Sequence, residues 1–287
     1  MALLPYQFAY NGLTWGPGCD VQLLGSDGLR GIPPLRRGDI PNPRANGSQA
    51  GLDFFDERIF TVDLQVFGAG TATPFATILT TVTNAFQMVT DPTMQLPLSL
   101  MQPGWASARQ ITCRPTRGGF PINPELSYSK VKIPVEFTAN DPLLYDTILQ
   151  TVSAGLPSPT AGARFPITFN TTFGASTGGS MNVTNSGNYS TAPIITITGP
   201  VTNPKITLGS FFLGVNLSLA NGDSLVIDMG ANTITLNGTA SRANTIMTGS
   251  TWFQIPPGTS SIGVQSTDSA SVTALFTAAW RSAWGWA

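Results

Sequence analysis

The sequence predicts a mainly β chain: two β-sandwich domains in series, the first carrying one α-helix. Three observations support this. Short runs alternate apolar and polar residues, as in "RIFTVDLQVFG" (Arg58 to Gly68) and "KVKIPVEFTANDP" (Lys130 to Pro142), the period of a strand with one packed face. Turn pairs such as Asn11-Gly12, Asn221-Gly222 and Asn237-Gly238 punctuate the runs and favour tight hairpins. A single stretch, from Thr73, repeats its apolar residues at helical spacing.

Residues 1–24 read as short strands broken by Asn11-Gly12 and Gly16-Pro17-Gly18, ending in the apolar "VQLL". From Ser26 to Gly51 the pattern changes to "SDGLRGIPPLRRGDIPNPRANGSQAG", with four prolines and Arg30, Arg36, Arg37 and Arg44. Without periodicity this reads as an extended arm (26–51), a loop of a length usually ordered by function or by a partner. In "RIFTVDLQVFG", Ile59, Val62, Leu64 and Val66 are expected on or near the packed face, with Thr61, Asp63 and Gln65 opposite. The helix is expected over 73–90: Thr73 caps it and Pro74 suits its first position. Phe75, Ile78, Leu79, Val82, Phe86 and Val89 form its apolar stripe, and Asp91-Pro92 ends it. "LPLSLM", "RQITCRPT" and "YSKVKIPVEFTANDPLLYD" then read as strands, Pro134 pushing the last of them toward a sheet edge or a bulge.

"TVSAGLPSPTAGA" (151–163) reads as a bridge between domains. From Leu156 onward the charged residues are Arg164, Lys205, Asp223, Asp228, Arg242, Asp268 and Arg281, against 14 basic and 15 acidic residues in the whole chain. Such a shift in composition marks a domain boundary, placing the domains at 1–155 and 156–287. The second half is a series of short strands, among them "FPITFNT", "PIITITG", "PKITLGS", "DSLVIDMG", "NTITLNG" and "SVTALFTAAWRS", a sandwich pattern with no helix between strands.

Composition bounds the function. At 287 residues with a net charge of −1, the chain lacks the basic excess of a nucleic-acid binder. Only 10% of residues are charged, so the surface is built largely from Ser, Thr, Asn and Gly. No run is long and apolar enough for a membrane span, and Pro5 interrupts a start that has no basic region, so no signal peptide is read. Synthesis and folding in a cytoplasm are expected.

In order, "PIITITGPVTNPKITLG", "LANGDSLVIDMGANTITLNG", "TWFQIPPGTSSI" and "VTALFTAAWRSAWGW" resemble the galectin-like sandwich of the distal tail protein (Dit) family of long non-contractile-tailed bacteriophages, in the form seen in actinobacteriophages. The arm leading into "GLDFFDERIFTVDLQVFG", the helix from Thr73 and "KVKIPVEFTANDPLLYD" resemble the ring-forming domain of that family. The resemblance implies a structural virion protein, not an enzyme. It implies a homohexameric ring at the distal end of the tail, formed by the first domain and joining the tail tube protein to the baseplate hub. The tape measure protein and a tail-associated hub protein are the neighbours it implies. The galectin-like domain would face outward to receptor-binding proteins or cell-wall glycans.

Few residues compete as chemical sites. The chain has no histidine, which excludes a His-dependent triad and a standard Cys/His zinc site. Cys19 and Cys113 read as two buried thiols, with a single disulfide as the alternative. "DFFDER" supplies Asp53, Asp56 and Glu57, a carboxylate cluster of glycosidase type on one reading and solvated charges before an edge strand on the other, which is preferred. Asp223 and Asp228 supply only two carboxylates, short of a calcium shell, and "GASTGGSMN" lacks the Lys of a phosphate loop. No cofactor is expected.

The arm arginines Arg30, Arg36, Arg37 and Arg44 are the candidates for an oligomer interface, because guanidinium groups on a loop pair with carboxylates of a neighbouring subunit. The plainer alternative is that they solubilise a loop. The helix face of Thr77, Thr80, Thr81, Thr83 and Asn84 suits either a ring contact or solvent. Trp280, Trp284 and Trp286 suit a core or an interface. Trp252 is the candidate glycan contact if the second domain is a carbohydrate-binding module, although no charged cluster accompanies it.

Overall fold

The structure, a computed structural model, describes residues 2–68, 73–87, 91, 93–119, 125, 128–157, 179–267 and 273–285. The expected strand "FPITFNT", the last helical positions 88–90 and Trp286 lie outside these residues. The chain forms two compact units, Met1–Thr147 with Trp284–Ala287, and Ile148–Ala283.

In the first unit one sheet runs, in spatial order, Leu13–Trp15, Phe8–Tyr10, Leu96–Leu100, Arg109–Gly118, Lys130–Ala139, Arg58–Phe67 and Val21–Asp27. Arg58–Phe67 pairs along its full length with Lys130–Ala139, from Ala139↔Arg58 to Lys130↔Phe67. Val21–Asp27 covers its other side, so the strand expected at an edge is interior. Phe60, Val62, Leu64 and Val66 fill the core while Ile59 faces out; the alternation is right and its phase starts one residue later. Pro134 also lies in an interior strand. The ladder with Arg109–Gly118 bulges between Pro115 and Arg117 and ends at Gly118↔Val135, so the missing N–H of Pro134 costs no bond on that side.

The helix α1 spans Phe75–Ala85, shorter than its apolar stripe. Pro74 occupies the cap position, with no side-chain bond to the first turn, where Thr73 was expected. Ile78, Val82 and Ala85 are buried. Phe86 closes the helix by leaving it: its ring lies 5.6 Å from Trp15, 5.9 Å from Phe137 and 6.0 Å from Tyr10. Offset and edge contacts of this kind add to area burial, and they fix the end of the helix against the sheet. Thr80, Thr81 and Thr83 donate back to the carbonyls of Ala76, Thr77 and Leu79, so the exposed polar face is closed on the helix itself.

The second unit is a sandwich. One sheet runs Gln150–Gly155, Leu275–Trp280, Ile194–Thr198, Ser224–Asp228, Thr233–Leu236 and Ala240–Ser241; the other runs Ser180–Asn185, Gly258–Gln265, Lys205–Leu208 and Phe211–Gly214. Alternate residues from both, including Met181, Val183, Ile195, Ile197, Ile206, Leu225, Ile227, Ile262, Val264 and Phe276, make its core. Asn237 and Gly238 take positive φ at an expected hairpin turn, whereas Asn221-Gly222, with Gly222 also at positive φ, turns between strands that pair elsewhere: Ser218–Leu219 with Val201–Thr202, and Ser224–Asp228 with Ile194–Thr198 and Thr233–Leu236.

The unit boundary falls at 147/148 and not at 155/156. Gln150–Gly155, read as the start of a bridge, pairs with Leu275–Trp280 from Gln150↔Trp280 to Gly155↔Leu275. Its small residues hide the alternation: Thr151 and Ser153 face out, while Val152 and Ala154 pack on the second core.

Candidate assembly surface

The arm is a β-ribbon. Leu35–Arg36 pairs with Phe54–Phe55, and Ile40–Pro41 with Ser48–Gln49. Two-residue ladders are too short to leave a period in a sequence rich in proline and glycine, which is why the arm reads as a loop. Between the ladders the two sides cross closely at glycine. A Cβ on Gly51 would lie 2.0 Å from the Gly38 carbonyl oxygen. The Gly51 N–H donates to Asp39 Oδ1 at 3.1 Å and the Gly38 N–H to Asp53 Oδ1 at 3.4 Å. Asp53 therefore ties the ribbon together, and Asp56 Oδ1 accepts from the Glu57 N–H at 3.0 Å.

The ribbon and its base carry uncovered apolar side chains on both faces. Ile32, Leu35, Ile40, Leu52 and Phe54 are 60%, 47%, 65%, 79% and 56% exposed. Arg30, Arg36, Arg37 and Arg44 are exposed along the same ribbon. The structure spreads them from base to tip without bringing them together. Arg36 rests its Cζ 5.9 Å from the Phe54 ring centroid, and among the described residues none of the four side chains makes a hydrogen bond or ion pair.

The base of the arm is held by a residue that the sequence reading grouped with solvated charges. Arg58 is 1% exposed. Its Nε donates to the Pro142 carbonyl at 2.8 Å, its Nη2 to Gly285 at 2.7 Å, and its Nη1 to Leu29 and to Gly31, the latter at 3.1 Å. Burial pushes its pKa down to about 10, so it remains a cation at neutral pH. Four carbonyl oxygens take the place of water around it. Its position at the first residue of an alternating strand, where the period puts a buried side chain, was the available signal.

Arg109 is held differently, with its Cζ 3.9 Å from the Trp105 ring and 3.8 Å from the Trp284 ring. A guanidinium between two indoles gains cation–π attraction on both faces. Burial lowers its pKa to about 10, offset in part by Asp146. Trp284 is thus part of the first unit, and Trp280 is buried in the second core. Trp252 is half-buried and packs against that same core. Asp223 accepts from the Ala220 N–H and the Asn237 side chain, and Asp228 from the N–H groups of Gly230 and Ala231. Both carboxylates close turns.

Cys19 and Cys113 are free thiols, Cys113 buried and Cys19 half-buried. Burial raises the pKa of both, keeping them protonated and weakly nucleophilic. Thiol titration at pH 8 is therefore expected to find both cysteines in the denatured chain and to leave Cys113 unreacted in the native one. A denatured chain with no titratable thiol would mean a disulfide.

Comparison with known proteins agrees with this architecture. Residues 186–280 match the family described as the siphovirus-type tail component, C-terminal domain. No curated protein matches by sequence. Among solved structures, the chain is similar to the Dit (gp 19.1) protein of phage SPP1, described as a paradigm of the hub adsorption apparatus in phages infecting Gram-positive bacteria. The TM-score is 0.63 at 16% identity, covering 96% of this chain and 98% of that one. Chains of the phage P2 baseplate in its activated conformation also match, at 10% identity over 96% of this chain. With Ca the TM-score is 0.48 over 98% of that chain, and with Sr it is 0.49 over 97%. The second unit thus matches the family of siphovirus-type tail components over residues 186–280, and the chain shares its fold over nearly its whole length with the Dit protein of phage SPP1.

Proposed function

We propose that this chain is a structural protein of the distal tail whose first unit closes into a hexameric ring, with the arm of each copy lying on its neighbour. The ring would join the tail tube to the baseplate hub around the tape measure protein. The second unit would face receptor-binding proteins. Its place is the distal end of the virion tail, after synthesis in the host cytoplasm.

The observation that carries this reading is the ribbon itself. A two-stranded ribbon is at best marginally stable alone in water, and large apolar side chains left exposed on it suit an interaction surface. Ile32, Leu35, Ile40, Leu52 and Phe54 supply those side chains. Arg30, Arg36, Arg37 and Arg44 add guanidinium donors that, among the described residues, make no hydrogen bond within their own chain. A closed ring places one such patch of each copy against a different patch of the next.

Mass photometry and negative-stain imaging of the purified chain test the proposal. Six copies of a 30.2 kDa chain should appear as a ring of about 181 kDa. Replacing residues 35–55 with a short Gly/Ser linker keeps Leu29 and Gly31 for Arg58 and should leave a folded monomer. Reversing charge at Arg36 and Arg37 to Glu should weaken the ring by about tenfold or more in dissociation constant. A ring that survives the linker replacement would sink the role of the arm. A strict monomer at every concentration would sink closure by this chain alone.

A further inference from the structure

In the second unit the strands Lys205–Leu208 and Phe211–Gly214 meet in a turn at Gly209, whose φ is +58°. That turn borders a groove of 680 Å³, within the size range of pockets that hold small organic ligands. Phe211, 52% exposed, presents an apolar surface on it, and Pro256 lines it as well. The remaining lining includes Ser190, Ser210, Gln254, Ser260 and Ser261.

These five polar side chains are uncommitted. Among the described residues none of them makes a side-chain hydrogen bond within the protein. Elsewhere on the same sandwich hydroxyls pair off: Ser153 with Thr277 at 2.8 Å, Thr184 with Thr259 at 3.2 Å and Ser218 with Thr202 at 3.4 Å. The groove gathers donors and acceptors that its surroundings leave free, beside an exposed aromatic ring.

The chemistry of the lining selects its ligand. No charged side chain lines the groove, so an anion or cation would lose hydration without a counter-charge. A purely aliphatic ligand would strip water from the polar part of the lining and leave it unpaired. A pyranose ring has a C–H face that packs on an aromatic ring and a rim of hydroxyls that both donate and accept. It satisfies both parts of the lining.

We propose that this groove binds a neutral saccharide, with one sugar ring packed on Phe211 and its hydroxyls bonded to Gln254 and the serines. The site is separate from Trp252, whose indole packs against the core, and it does not depend on ring closure.

The test is a printed array of neutral, anionic and cationic glycans probed with the full-length chain, followed by calorimetry on the strongest neutral oligosaccharide. A neutral glycan should bind with Kd of about 1 mM or tighter. Phe211→Ala should weaken it about tenfold, while Phe211→Trp should keep or strengthen binding. Gln254→Ala should weaken it several-fold. Both Phe211 and Gln254 are exposed, so thermal unfolding of these variants should match that of the parent. The proposal is overturned by an array without a neutral hit, by a preference for charged glycans, or by neutral binding that Phe211→Ala leaves intact. Displacement of the sugar by a serine- and proline-rich peptide at lower concentration would also overturn it, assigning the groove to a protein partner.

Discussion

Replacing Arg58 with methionine should lower the stability of the first unit by about 3 kcal/mol, from the cost of leaving buried acceptors without donors. Methionine keeps much of the stem volume but donates nothing, so the carbonyls of Leu29, Gly31, Pro142 and Gly285 lose their shared donor. In thermal unfolding this corresponds to a midpoint lower by about 10 °C for a domain of this size. Arg58→Lys should recover only part of the loss, because one ammonium cannot span the directions that a planar fork reaches. The expected order is wild type, lysine, methionine. If methionine unfolds within about 0.5 kcal/mol of wild type, the guanidinium is not the anchor described here.

The second large effect is expected at Gly187, in the segment that stitches the second unit. A Cβ there would lie 1.8 Å from the Ala283 carbonyl oxygen and 2.5 Å from its carbon. The obstacle is backbone, which cannot swing aside as a side chain can. The same place is organised by Asn185, which is fully buried. Its Nδ2 donates to the carbonyls of Tyr189 at 2.7 Å and Ile255 at 3.1 Å. Its Oδ1 accepts from the N–H groups of Gly187 at 3.0 Å and Ala283 at 3.3 Å. Gly187→Ala should cost about 3 kcal/mol or more, by forcing apart segments that these bonds hold together. Asn185→Asp should be similarly severe, since a carboxylate would face two carbonyl oxygens with no proton to share. Hydrogen exchange of the amides of Ile194–Thr198 and Ser224–Asp228 along a urea series reads this unit. A Gly187→Ala midpoint equal to that of wild type would show that the contact relaxes at no cost.

The architecture was legible where period and turn chemistry agree. The described strands of the second unit and the hairpins at Asn11-Gly12 and Asn237-Gly238 fall where alternation put them, because each strand has a buried face and each of these turns has residues at positive φ; Asn221-Gly222 is a turn between strands that pair with others. The errors have local causes. Gln150–Gly155 is built of Thr, Ser, Ala and Val, so its alternation lacks contrast. Helix α1 ends early because Phe86 gains more from Trp15, Tyr10 and Phe137 than from another turn. The ribbon was unreadable because its ladders are two residues long and its order comes from glycine crossings and from Asp39 and Asp53. The exposed arginines of the arm were visible as candidates, whereas the uncovered apolar side chains beside them were not, since exposure is a property of the fold. Arg58 was hidden by its neighbours: a charge run conceals the one member that turns inward.

The acceptors of Arg58 also bear on when the first unit can be finished. Three of them are available once residue 142 has been made, but the fourth is Gly285, and the second indole over Arg109 is that of Trp284. During vectorial synthesis the nascent first unit must wait, with a buried cation short of an acceptor and an arginine stacked on one face only, while the ribosome translates the entire second unit. Chains cut short by premature termination therefore never complete the arm base.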